Sequence, residues 1–107
     1  MVSLEALVYR LKKLLSDETV PSTGGTTQIT VTGTPTPLGS QKVRTVTIKA
    51  DKTNTDSVWI GFSGDLSDAN GFPLDPGEEI DIVIDNLSKV YVMSPSTAQK
   101  IHVMWVR

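Results

Sequence analysis

The chain has 107 residues, 38% of them hydrophobic and 21% charged, with a formal net charge of −2. This is the make-up of one soluble globular domain, with no room for a second core. There are no cysteines, which excludes disulfide staples, thiolate metal sites and cysteine nucleophiles. The only cationic cluster is Arg10, Lys12 and Lys13, which reads as a solvated helix face. Neither nucleic acid, whose binding needs grouped cations, nor a membrane is an expected partner.

Residues 3 to 16 carry a helical signature. Ser3 suits the cap, no Gly or Pro intervenes, and Leu4, Leu7, Val8, Leu11, Leu14 and Leu15 recur on one face. Leu4, Leu7, Leu11 and Leu14 follow the three-four spacing of a coiled-coil seam. A lone helix of this length is marginal in water, so the ridge needs a cover. Its own β domain, identical helices and a partner's groove all remain open. Three leucine-lined helices would satisfy the ridge, which favours a trimer. Residues 1–18 are accordingly assigned as an assembly helix and residues 19–27, rich in Thr, Gly, Ser and Pro, as a flexible linker.

From Gln28 the period becomes alternating. Ile29 and Val31 mark a first strand, which Thr34-Pro35-Thr36-Pro37 ends. Val46, Ile48 and Ala50 form the inward face of a second, and Asp51 to Thr55 reads as a hairpin turn. Val58, Ile60 and Phe62 are the expected inward set of a third, leaving Trp59 on the other face as the best single candidate for an exposed anchor. Residues 63–77 read as a loop. Ile80, Ile82 and Ile84 alternate with Asp81, Val83 and Asp85, Val90 to Met93 is a short strand, and Gln99 to Val106 closes the domain. The fold expected for residues 28–107 is mainly β, an antiparallel β-sandwich of jelly-roll type behind the N-terminal amphipathic α-helix.

The residues offer little chemistry. His102, the single histidine, lies inside a strand without a nucleophile elbow. Asp65, Asp68 and Asn70 before Gly71 lack the spacing of a twelve-residue calcium loop and suit Asx turns. Asp81 and Asp85 share a strand face but have no aromatic platform for a sugar, and Gly24-Gly25 lacks the Lys-Ser or Lys-Thr of a phosphate loop. No catalytic residue, cofactor or metal is expected, and the protein is read as no enzyme.

Thr47-Ile48-Lys49, Val58-Trp59-Ile60-Gly61, Gly71-Phe72-Pro73-Leu74 with Pro76-Gly77-Glu78, Ile84-Asp85-Asn86-Leu87, Tyr91 and Val103-Met104-Trp105 follow one another in an informative order. In that order the last 60 or so residues resemble a small β domain of structural proteins in tailed bacteriophages. The resemblance implies a virion location and a non-enzymatic decoration, head-fibre or tail-associated role. Its partners would be further copies of the chain and virion proteins such as the major capsid protein. A carbohydrate or host-surface binding module is the alternative, with Trp59 or Phe72 exposed in a concave patch. If the ridge mediates assembly, replacing Leu7 and Leu11 with Asp removes multimers while the β domain stays folded; an unchanged mass in light scattering would contradict this.

Overall fold

The computed structural model describes Leu4 and residues 23–107. Leu4 is exposed. Leu7, Val8, Leu11, Leu14 and Leu15, and with them the assembly helix, lie outside the described residues.

Eight strands form two antiparallel four-stranded sheets. They are β1 (Gly24–Val31), β2 (Thr36–Pro37), β3 (Thr45–Ala50), β4 (Val58–Gly61), β5 (Phe72–Leu74), β6 (Glu79–Val83), β7 (Tyr91–Met93) and β8 (Gln99–Val106). The first sheet has the order β1-β8-β3-β6 and the second β2-β7-β4-β5. Only the β4–β5 connection stays within one sheet; every other connection passes from one sheet to the other.

One apolar cluster joins the two sheets. Val46, Ile48, Ala50, Ile101 and Val103 of the first and Val58, Ile60, Leu74 and Val92 of the second are buried in it. The period-two alternation of β3, β4 and β8 builds it, because every second side chain of a strand points to the same face. Each Val, Leu or Ile among them contributes about 1.5–3 kcal/mol relative to leaving it in water.

Several expectations are corrected. The first strand begins at Gly24 rather than Gln28, so the last four of the nine residues assigned as linker are strand. The two glycines have a packing role there. A β-carbon on Gly25 would sit 2.7 Å from the Trp105 ring, and one on Gly24 would sit 2.9 Å from the Trp105 carbonyl oxygen. Asp51 to Thr55 is no hairpin turn, since β3 and β4 belong to different sheets. Pro37 does not end the β structure; it lies in the edge strand β2, opposite Tyr91, where a missing N–H is tolerated. Phe72–Leu74, read as loop, is the other edge strand of that sheet. Phe62 is not inward: β4 stops at Gly61 and Phe62 is 63% exposed. Leu66 takes an apolar seat beside it instead, its Cδ1 filling the space that a β-carbon on Gly61 or Gly71 would need.

Polar side chains secure the sheet-to-sheet connections. Gln99 is buried, and its Oε1 accepts from the backbone N–H groups of Thr55 (2.9 Å) and Asp56 (3.0 Å). Its Nε2 donates to Thr55 Oγ1 and to the Thr97 carbonyl, both at 3.0 Å. Asn54 pairs with the Lys100 backbone through both ends of its amide, each at 2.8 Å. The Ser94 hydroxyl donates to the Ser57 carbonyl at 2.9 Å. Asp75-Pro76-Gly77-Glu78 is a turn with φ +87° at Gly77, and the Gly77 N–H bonds the Ala50 carbonyl at 3.0 Å.

Ala98, with φ +65°, is the one non-glycine among the described residues in left-handed backbone. Ala98→Gly is therefore expected to stabilise the domain by about 0.5–1 kcal/mol. Gln99→Ala, which leaves several buried groups unpaired, is expected to destabilise it by roughly 2–4 kcal/mol. Denaturant titration measures both, and equal midpoints for the two variants would contradict this packing.

Candidate interaction surface

The outer face of the first sheet is organised in cross-strand rows. Gln28, His102, Lys49 and Glu79 form one row, and Thr26, Met104, Thr47 and Asp81 the next. Val106, Thr45 and Val83 follow, with Gly24 beside Val106 at the start of β1. The polar rows are tied together locally. Thr47 Oγ1 donates to Asp81 Oδ1 at 2.5 Å, and His102 Nε2 lies 3.1 Å from Asp51 Oδ1. Toward the start of β1 this face also carries open apolar side chains: Val83 is 84% exposed, and Met104, between Thr26 and Thr47, 54%.

On the second sheet a groove of about 400 Å³ is lined by Ile60, Gly61, Phe62, Leu66 and Phe72 with Ser63, Asp65 and Asn70. Phe62 and Phe72 are both exposed. Strand direction relates the two apolar regions. β4 is entered from the Ala50 end of β3, so Gly61 and Phe62 lie at the opposite end, the one that holds Thr45, Val83 and Val106. Gly24 lies there too. Large exposed apolar side chains of both sheets thus gather at the pole where residues 1–22 join the domain.

The other residues singled out in the sequence are placed as follows. Trp59 stands on the outer face of the second sheet, opposite Met93 and Pro73, but is partly buried. A β-carbon on Gly71 would lie 3.1 Å from its Cβ, so the 63–71 loop closes over part of it. Phe72 fits the exposed position in a concave patch better than Trp59. The Asn70 side chain and the Asp65 backbone are engaged in the loop's own turns. Asn70 Oδ1 accepts from the Ser67 N–H at 2.8 Å, and its Nδ2 donates to the Asp65 carbonyl at 3.0 Å. No cluster of metal-ligating side chains occurs among the described residues. Asp81 and Asp85 have separate partners, Thr47 and, at 2.8 Å, Lys89. His102 is on the outer face with Asp51, and its ring is about half exposed.

The place of Phe62 beside Phe72 in the groove, and the Val83–Met104 patch, are not among the sequence-based expectations. Val83 had a signal, since it is an apolar residue between two aspartates on an outward face. Phe62 had none, because alternation continued through it.

Three carboxyls are held below the usual carboxylate range, chiefly by hydrogen bonds. For Asp51 the Thr53 hydroxyl is the main cause and the His102 ring the next. For Asp56 the Ser96 hydroxyl leads, followed by the Ser57 backbone N–H. Asp85 is lowered as well, chiefly by its bond from Lys89.

No protein-family model matches the chain, and no curated protein matches it. Among solved structures, a protein of Bacillus endospore appendages, described as disulfide-linked pili, is similar over 78% of this chain and 85% of its own. The TM-score is 0.53 at 14% identity, so the likeness concerns the fold. The 107 residues contain no cysteine, so they hold no counterpart of a disulfide link.

A carboxyl whose pKa is lowered by folding adds stability above its ordinary value, 3.8 for Asp51, and loses it as pH falls through the folded-state value. Asp51→Asn is therefore expected to lower the melting temperature at pH 7 and to have a much smaller effect near pH 2. Equal differences at both pH values in thermal melts would contradict this.

Proposed function

We propose that this protein is a non-enzymatic structural subunit that works by associating with further copies of itself. We read the two sheets as a jelly-roll sandwich, because the orders β1-β8-β3-β6 and β2-β7-β4-β5, with all connections but one crossing between sheets, are those of paired Greek keys. The observation that carries the functional reading is the polar distribution of exposed apolar side chains. The core is already complete, yet Phe62, Phe72, Val83 and Met104 remain in solvent. Exposed apolar groups gathered in one region mark interaction sites.

The leucine ridge of residues 4–15 adjoins that pole in sequence and supplies a second adhesive element. A trimer joined through this ridge, docked on a larger particle, is the arrangement we favour. The resemblance of the last 60 or so residues to phage structural domains supports a virion as the setting, with decoration of the capsid or a head fibre as the role. The likeness to a pilus protein supports an assembly role on other grounds, because both chains share a fold suited to a stiff repeated body.

Native mass spectrometry of the full chain tests the reading. Multiples of 11.6 kDa are expected, reduced in number by Phe62→Ser combined with Phe72→Ser. A single 11.6 kDa species at every concentration would overturn it. A sugar-binding module is the second reading, favoured by the exposed Phe72 ring in its groove. The Asn70 amide there is taken up by the loop's own turns, which leaves few polar groups to orient a sugar. Saturable binding on a glycan array, lost in Phe72→Ser, would turn the assignment to that reading.

A further inference from the structure

We infer that the free edge of β1 is a pairing edge, and that its partner is the β1 strand of a second copy, joined antiparallel so that the two first sheets become one. The inference rests on the self-association reading for the identity of the partner and adds the surface through which copies meet.

The direction of the backbone groups follows from one bonded pair. Thr23 and Arg107 exchange both backbone hydrogen bonds, at 3.0 and 2.8 Å. In an antiparallel ladder such pairs alternate with unbonded ones. Gly25, Thr27, Ile29 and Val31 therefore turn their N–H and C=O groups toward β8, while Gly24, Thr26, Gln28 and Thr30 turn theirs outward. All four of the latter are exposed and have no backbone partner across that edge among the described residues.

The domain has four sheet edges, and three carry a device that discourages pairing. β2 has two residues, one of them Pro37, and β5 has three with Pro73 at its centre. β6 is acidic through Glu79 and Asp81, so two such edges repel each other. β1 differs on every count: it has eight residues, Gly-Gly-Thr-Thr-Gln-Ile-Thr-Val, with no charge and no proline.

The edge is also complementary to itself. When Gly24 faces Thr30 of the second copy and Thr26 faces its Gln28, each outward residue meets an outward residue, and every free N–H and C=O finds a partner. The side chains brought together on the outer face are Thr and Gln, which pair without charge repulsion. The acidic edge of another copy is a poorer match, since β1 offers no cation to Glu79 and Asp81.

Amide hydrogen exchange on the full-length protein, dilute and concentrated, reads this directly. The Thr26 and Gln28 amides are expected to slow at least tenfold on concentration, while those of Thr27 and Ile29, already bonded to β8, change little. Gln28→Pro removes an outward N–H that makes no bond within the domain, so the fold should survive it and the slowing at Thr26 should disappear. Thr26→Lys, which places like charges together across the joint, should weaken the slowing at Gln28 in the same way. If a variant fails to fold, the wild-type comparison decides alone. Association on concentration without slowing at Thr26 and Gln28 would overturn the edge and leave self-association standing. A chain that never associates would overturn both.

Discussion

The structure depends on one shared apolar layer. Ile48, Ile101 and Val103 on one sheet and Val58, Ile60 and Val92 on the other have no other place to be buried, so neither sheet is stable alone. Nearly every connection crosses between the sheets, and the layer forms only if those crossings hold their geometry. That explains the weight placed on Gln99 and Asn54. Both side chains bond backbone groups across the Asp51–Ser57 crossing, where regular strand pairing is absent. A buried amide such as that of Gln99, with every bond satisfied, rigidifies such a junction, whereas a partly satisfied one weakens it.

The sequence made the central strands legible and the edges obscure. Val46, Ile48 and Ala50, and likewise Ile101 and Val103, alternate cleanly because one face is covered and the other wet, and burial follows the pattern residue by residue. β2 and β5 were hidden by prolines that an edge strand tolerates. Gly24 and Gly25 look like tether because glycine is the usual linker residue. Their role appears only when Trp105, some eighty residues later, lies against them. Phe62 misled because alternation continued past the point where Leu66, in a loop, takes the available apolar space. These are contacts distant in sequence, which local periodicity does not encode.

The site divides in the same way. The two carboxylates considered as a catalytic pair each have a local partner, Asp81 with Thr47 and Asp85 with Lys89. The apolar pole and the open edge needed coordinates, because they arise where strands from both sheets end together and where one edge lacks the charges and prolines of the other three.

The most direct measurement is the structure of the concentrated protein by electron cryomicroscopy. The account predicts domains with unchanged sheets, joined along β1 into continuous eight-stranded sheets and touching through the pole that bears Phe62, Phe72 and Val83. Separate single domains, or neighbours that meet only through the Gln28–His102–Lys49–Glu79 row while β1 stays bare, would contradict it.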